Sequence, residues 1–134
     1  MKRHNIELMI AWLDALRRRD TQALLERVDP QTTWQGIRPE LACHGSEIVE
    51  IFVRQRDQDH DVDELELIGA PDHAILHFRL PEPHRIGDIE VEDGVYHVFR
   101  IQGSTITRIE DYVDRAEALR AAGLTSASTA GGRS

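Results

Sequence analysis

The chain has 134 residues, of which 40% are hydrophobic, 30% charged and 5% aromatic, a length that suits one globular domain and excludes two of ordinary size. Its formal net charge of -8 repels phosphate backbones and anionic lipid surfaces, so neither a nucleic acid nor a membrane is expected as a partner. With one cysteine, Cys43, and no apolar run near the ~20 residues of a membrane span, the sequence predicts a cytoplasmic protein without internal disulfides.

The N-terminal part of the chain predicts a pair of helices. Apolar residues recur at three- and four-residue steps across residues 5–19, which is typical of an amphipathic helix, with Trp12 at the edge of the apolar stripe. The stripe comprises Ile6, Met9, Ile10, Leu13 and Leu16. Asp20 or Thr21 then offers an N-cap for a second, shorter helix that stops at Asp29-Pro30.

The middle of the chain predicts short strands before a third helix. Thr32 to Trp34 are β-branched and aromatic and are followed by Gly36, which indicates a short strand. Residues 40–44 are a second candidate strand. Gly45-Ser46 then precedes apolar residues at helical spacing, so we expect a helix from there to about Gln58.

The C-terminal half of the chain changes to the two-residue period of β-strands. Strand-forming stretches cover residues 62–69, 74–80, 91–101 and 105–113. The turn signals between them lie at residues 70–72, 81–88 and 103–104. Consecutive strands joined in this way predict an antiparallel meander.

The end of the chain predicts one more helix and a tail. Asp114, with Glu117 three residues on, suits the N-cap of a short helix that ends at Gly123. Residues 125–134 are small and polar, so we expect a disordered tail after a single domain at residues 1–124. Lys2 is the only lysine among 16 basic residues, a bias that indicates a bacterial source rich in G and C.

Three patterns that resemble metal or nucleophile sites are interpreted otherwise. The acidic run at residues 57–66 lacks the central glycine and bidentate glutamate of a calcium loop, which favours a solvated helix end. His73 and His77 would stand about 13 Å apart on a strand, too far for one zinc ion. Cys43 and His44 would point to opposite faces of a strand. Nucleotide-binding and serine-nucleophile motifs are missing from the sequence, so neither a metal nor a cofactor is expected.

His97 is the first candidate for acid-base chemistry. Strand alternation places it with Val95, Phe99 and Ile101 on the more apolar face of its strand. A histidine removed from water there favours the neutral imidazole, the form that accepts a proton. In the alternative interpretation, His97 is a core histidine satisfied by one hydrogen bond.

Asp111 is the second candidate, on the last strand. A carboxylate beside a histidine can orient the imidazole or move the proton itself. Glu110 and Tyr112 would take its place if the register shifted by one residue or a bulge intervened. In the alternative interpretation, Asp111 is a surface carboxylate paired with Arg108 or Arg100. Asp114 is assigned to helix capping.

Three segments carry a resemblance to a known family. They are RRRDTQALLERVDP, the Trp34-to-Gly45 stretch with Cys43-His44-Gly45 before the third helix, and GVYHVFRIQGSTITRIEDYVDRAEALRAAGL. Together with the order of predicted elements, they resemble the SnoaL-like branch of the nuclear transport factor 2-like (NTF2-like) superfamily. The resemblance implies an α+β cone, in which N-terminal helices pack on a strongly curved antiparallel sheet with a pocket at its mouth.

The resemblance implies no single reaction, because this superfamily includes isomerases, hydrolases, cyclases and binding modules on one scaffold. We expect a small-molecule ligand and a cofactor-independent acid-base enzyme that acts on an apolar or carbonyl-bearing metabolite. His97 and Asp111 would act as base and orienting group. The predicted ligand contacts are Trp12, Trp34, Phe78 and Tyr112.

The alternative is a module that binds a ligand or forms a dimer without catalysis. It predicts that His97 and Asp111 lie beyond hydrogen-bonding distance or that side chains fill the space around them. A homodimer is expected under both hypotheses. The resemblance implies pairing through the convex face of the sheet, where Ile75 and Val98 would offer apolar surface.

Overall fold

The computed structural model describes residues 2–37, 42–58, 64–79, 84–86, 89–91 and 94–124, which form an α+β arrangement. Its helices are α1 (Lys2–Arg18), α2 (Thr21–Leu25), α3 (Ser46–Gln58) and α4 (Arg115–Ala121). Its strands are β1 (Val28–Gln35), β2 (Ala42–His44), β3 (Glu64–Gly69), β4 (His73–Arg79), β5 (His84–Ile86), β6 (Ile89–Val91), β7 (Val95–Gln102) and β8 (Thr105–Tyr112). The predicted tail at residues 125–134 lies outside the described residues.

One curved, unclosed sheet organises the fold. Its strand order is β2-β1-β8-β7-β4-β3, and neighbouring strands are antiparallel except for the parallel pair of β1 and β8. The predicted meander of four long strands is confirmed as β3, β4, β7 and β8. A β5–β6 hairpin lies between β4 and β7 in the chain, where the sequence predicted a loop and an earlier start of β7.

The second helix is shorter than predicted because the chain enters the sheet early. α2 ends at Leu25 and β1 begins at Val28, which pairs with Ile106 of β8. The Ile106 amide donates to the Arg27 carbonyl at 2.6 Å. Farther along, the Thr32 hydroxyl donates to the Ile106 carbonyl at 2.7 Å and compensates for the irregular register of this pair. These bonds favour an extended backbone over a further helical turn.

The inner face of the sheet holds the main core, covered by α1, α2 and α3. The buried apolar residues of α1 are Leu8, Met9, Trp12, Ala15 and Leu16. The buried face of α1 is therefore rotated relative to the predicted stripe. Ile10, which the stripe included, is 55% exposed, whereas Trp12, predicted at its edge, is 1% exposed and lies at the centre of the buried face. The reason is Asn5, whose buried amide donates to the carbonyls of Ala70 and Pro71 and ties this face of α1 to the β3–β4 turn. Hydropathy alone does not show a polar anchor on a buried face.

The outer face of the sheet is covered in part by α4. Ala118 and Ala122 pack with Ile75 and Val98, which are 0% and 2% exposed. The expectation that Ile75 and Val98 offer a dimer surface is therefore wrong, because a helix of the same chain buries them. Asp114 occupies the N-cap position of α4, as predicted. Its side chain, however, makes no capping hydrogen bond.

An ion pair fastens α4 to the outer face. The Arg115 guanidinium donates to both carboxylate oxygens of Glu66 on β3, at 2.8 and 2.9 Å. His77 also contacts this carboxylate, at 3.2 Å, and its ring stacks on Tyr96 with centroids 3.9 Å apart. The Arg115 guanidinium lowers the pKa of Glu66 to about 2; burial opposes this and the His77 contact adds to it.

This pKa makes a prediction about stability against pH. Because the folded pKa of Glu66 is below its usual value of 4.5, its carboxylate stabilises the fold above that value, and the effect disappears as pH falls towards 2. Wild type should exceed Glu66→Gln in free energy of unfolding by about 1 kcal/mol at pH 7, since water screens a pair this exposed. Urea titrations between pH 7 and pH 2 should show the free energies of unfolding of wild type and Glu66→Gln approaching each other as the pH falls. In proteins that also carry Arg115→Gln, Glu66→Gln should change the free energy of unfolding little at any pH. If the difference between wild type and Glu66→Gln did not vary with pH, the assignment of the Glu66 pKa to Arg115 would be contradicted.

Candidate acid-base site

A bulge in β8 sets the register that brings the two predicted residues together. His97 pairs with Asp111 and Phe99 with Ile109, but beyond Arg100 the register shifts, so that Ile101 faces Ile106. The shift leaves Thr107 as the extra residue, and both Ile106 and Ile109 are fully buried in the inner core. Under strict alternation these two isoleucines would lie on opposite faces of β8, because an odd number of positions separates them in the chain.

His97 and Asp111 form a hydrogen-bonded pair on the inner face. The distance from His97 Nδ1 to Asp111 Oδ1 is 2.6 Å, and the two side chains are 9% and 8% exposed. Trp34 Nε1 donates to the same carboxylate oxygen at 2.9 Å. Asp111 is therefore not the surface carboxylate of the alternative interpretation. Since a carboxylate oxygen accepts from Nδ1, the neutral imidazole carries its hydrogen there, and its lone pair is on Nε2.

Aromatic rings surround the imidazole. The ring centroids of Trp34, Phe52, Phe78 and Phe99 lie between 5.6 and 6.4 Å from that of His97, and all four rings are steeply inclined to it. Trp34 is held by stacking on Phe52, with centroids 4.3 Å apart. Among the described residues, His97 Nε2 has no hydrogen-bond partner. The site thus has one accepting nitrogen in apolar surroundings, where electrostatic interactions are stronger than in water.

The predicted ligand contacts divide between three places. Trp34 and Phe78 lie beside His97. Trp12 is deeper in the core, where it contacts Phe52 and Phe99, and its Nε1 has no partner within the described part of the chain. Tyr112, also predicted as a ligand contact, is on the outer face, where its hydroxyl donates to Glu110 at 3.4 Å, so it does not lie beside His97 with Trp34 and Phe78. The reason is strand alternation, because Tyr112 follows the inward-facing Asp111 directly.

Phe52 near the site was missed by sequence reasoning, and Cys43 was considered there only as a possible nucleophile with His44. Phe52 was assigned to helix α3 without a role, although its ring contacts Trp34 and His97. Cys43 pairs with Trp34 across β1 and β2 and is half-buried. Burial raises the pKa of the Cys43 thiol, and the carboxylates of Glu47 and Asp111 raise it further. The thiol is therefore kept protonated, which disfavours a nucleophilic cysteine.

Metal and membrane features were also sought. Within the described ranges, no group of three or more His, Cys, Asp or Glu side chains is placed to hold a metal ion. In the same ranges, the helices are too short or too polar to cross a membrane. One imidazole and one carboxylate in contact instead suit proton transfer.

The comparison with known proteins gives matches in structure but not in sequence. The chain matches no family model and no curated protein by sequence. An NTF2-like protein of Burkholderia xenovorans LB400 is similar, with a TM-score of 0.61 at 16% identity over 91% of this chain and 98% of that chain. An LEH-like epoxide hydrolase of M. tuberculosis has a TM-score of 0.56 at 18% identity over 96% of both chains.

A third solved structure extends this similarity. A protein of Catenulispora acidiphila DSM 44928 with a ketosteroid isomerase-like fold, in complex with trimethylamine, has a TM-score of 0.50 at 17% identity. The match covers 88% of this chain and 93% of that chain. Similarity at these identities concerns the fold and leaves the activity open. The curved sheet, the helices on its inner face and these matches together show that the protein has the NTF2-like fold.

Proposed function

We propose that the protein is a cofactor-independent enzyme in which His97 moves a proton of an apolar or carbonyl-bearing small molecule. The observation that carries the proposal is the 2.6 Å contact of His97 Nδ1 with Asp111, which leaves Nε2 without a partner among the described residues, on an imidazole that has four aromatic neighbours. A base oriented by a carboxylate is a recurrent arrangement for proton transfer.

The pair suggests a simple reaction sequence. Nε2 takes a proton from a carbon next to a carbonyl, or from a water that attacks an epoxide. The C–H or O–H electron pair stays with the substrate, and the imidazolium is stabilised by the Asp111 carboxylate. The imidazolium then returns the proton to the product, at another carbon or at the oxygen of the opened ring. Isomerases, cyclases and hydrolases all use steps of this kind.

Binding without catalysis is the second candidate. It predicted that His97 and Asp111 lie apart or that side chains fill the space around them, and the 2.6 Å distance contradicts the first of these. The ring contacts of Trp34, Phe52, Phe78 and Phe99 with His97 favour the second. A turnover experiment is needed to choose between the two functions.

The experiment compares two histidine variants on opposite faces of the sheet. Wild type, His97→Gln and His77→Gln are assayed for α-proton exchange of ketones in D₂O by NMR and for hydrolysis of a panel of epoxides. Removal of the base should reduce turnover by about 10²- to 10⁴-fold in His97→Gln. His77, which also contacts a carboxylate but on the outer face, should be dispensable for turnover.

The outcomes separate the two functions. Circular dichroism first establishes that each variant is folded. Turnover in wild type that survives in His97→Gln would contradict the proposed role of His97. If wild type binds ketones or epoxides in calorimetry but turns over none of them, the binding function is favoured.

We also propose a homodimer, as the resemblance implies. Ile75 and Val98 are covered by α4, so pairing would need another surface. Sedimentation of a ~15 kDa species at high concentration would refute the dimer.

A further inference from the structure

A row of apolar side chains runs from the candidate site to the edge of the sheet. On the inner face, Val95 of β7 pairs with Phe78 of β4, which in turn pairs with Leu65 of β3. Val95 is two residues from His97 on the same face, and the Phe78 ring contacts the His97 ring at a centroid distance of 5.9 Å. We call Val95, Phe78 and Leu65 the apolar row.

Exposure increases along the apolar row towards the sheet edge. His97 is buried, Val95 and Phe78 are half-buried, and Leu65 on the edge strand is 48% exposed. Within the described residues, Leu65 and Ile10 are the large apolar side chains classed as exposed. A single exposed leucine is ordinary, but this one continues a surface that reaches a buried titratable pair.

We propose that the apolar row binds the hydrocarbon part of a neutral substrate whose reacting carbon lies at His97 Nε2. This inference rests on the proposed function, because it takes His97 as the reaction centre. None of the three side chains offers a charge or a hydrogen bond, and the net charge of -8 disfavours an anionic tail.

The sheet geometry sets the length of this hydrocarbon part. From β7 to β3 there are two strand spacings, or about 10 Å, which an extended chain of about eight methylene groups covers. Each methylene group buried on the row should raise the affinity about fourfold. The substrate class is therefore a neutral ketone or epoxide with a medium-length alkyl chain or a ring system of equal reach.

A homologous series of 2-alkanones, from 2-butanone with one methylene group to 2-tetradecanone with eleven, tests this proposal. Wild type should show kcat/KM for α-proton exchange rising about fourfold per methylene group and levelling off at about eight. Leu65→Ser should lose at least tenfold on 2-decanone and leave 2-butanone unchanged. Ile10→Ser is the matched control, since it removes the other exposed side chain, on α1, and should keep the wild-type dependence on chain length.

The outcomes are designed to distinguish the failure of this inference from the failure of the proposed function. Dissociation constants of the same ketones, measured by calorimetry, test the row even if no ketone exchanges its protons. An equal chain-length dependence in Leu65→Ser and wild type, or none in wild type, would overturn the inference. So would a dimer in sedimentation that Leu65→Ser dissociates without change in ketone binding. If Leu65→Ser does not fold, Leu65→Ala replaces it.

Discussion

Asp111→Asn is expected to lower turnover about 100-fold while the protein stays folded. Trp34 Nε1 donates to Asp111 Oδ1, so in the variant it should hold the amide with its oxygen, not its nitrogen, at this position. His97 Nδ1 can then still donate to that oxygen, and Nε2 keeps its lone pair. What is lost is the negative charge that stabilises the imidazolium after proton transfer. Turnover of the ketone or epoxide that wild type handles best provides the measurement.

The role of Trp34 in this result can be tested separately. In Trp34→Phe/Asp111→Asn, no described side chain other than His97 is left to donate to the amide oxygen, so the amide can turn and donate its own hydrogen to Nδ1. The hydrogen of His97 then moves to Nε2 and the base is lost, which should cost at least a further tenfold. Nitrogen-15 NMR of the imidazole reports the tautomer directly. The same tautomer and the same turnover in single and double variants would contradict this account.

Trp34→Phe should be much more destabilising than Trp12→Phe. Both changes remove an indole N–H from a buried side chain, but only that of Trp34 has a partner, the Asp111 carboxylate at 2.9 Å. Loss of a hydrogen bond to a buried charge, together with relief of an unsatisfied donor at Trp12, should separate the two free energies of unfolding by about 2–3 kcal/mol. Urea unfolding followed by circular dichroism measures the difference.

The same two variants also show whether kcat depends on the packing of the core or on the positioning of Asp111. Trp34→Phe should reduce kcat about tenfold, because the carboxylate loses the donor that fixes it beside His97. Among the ring contacts of the described residues, Trp12 reaches the site through Phe52 and Phe99 and not through His97, so Trp12→Phe should leave kcat within about twofold. Equal losses in stability and kcat for both variants would mean that the Trp34 hydrogen bond does not position Asp111.

Much of the fold was predictable because it follows from local patterns. The period of apolar residues located α1, α3 and the four strands of the meander, and Gly and Pro marked several of their ends. The length of β1 was not predictable in this way. Its first part is held by hydrogen bonds to β8, between residues more than 70 positions apart, such as Thr32 and Ile106. No local signal reports such a partner.

The site was predictable in part for a related reason. His97 and Asp111 were found because alternation on β7, and on β8 near Asp111, is regular up to the bulge. Trp34, Phe52 and Cys43 come from other elements, and only the tertiary structure shows that Trp34 donates to Asp111 and that Phe52 stacks on Trp34. The rotation of α1 depended on Asn5, a polar residue with a structural task that hydropathy does not reveal.

The central position of β8 has a consequence for how the chain folds. β8 lies between β1 and β7, so until it is in place both of these strands have an open edge with unpaired backbone groups. It is also the last strand of the sheet to leave the ribosome. We therefore expect β1 and β2 to remain unpaired with the meander until synthesis has passed Tyr112. Chains whose synthesis stops before Thr105 should aggregate through these open edges. The strand that supplies Asp111 to the site is also the strand that completes the sheet.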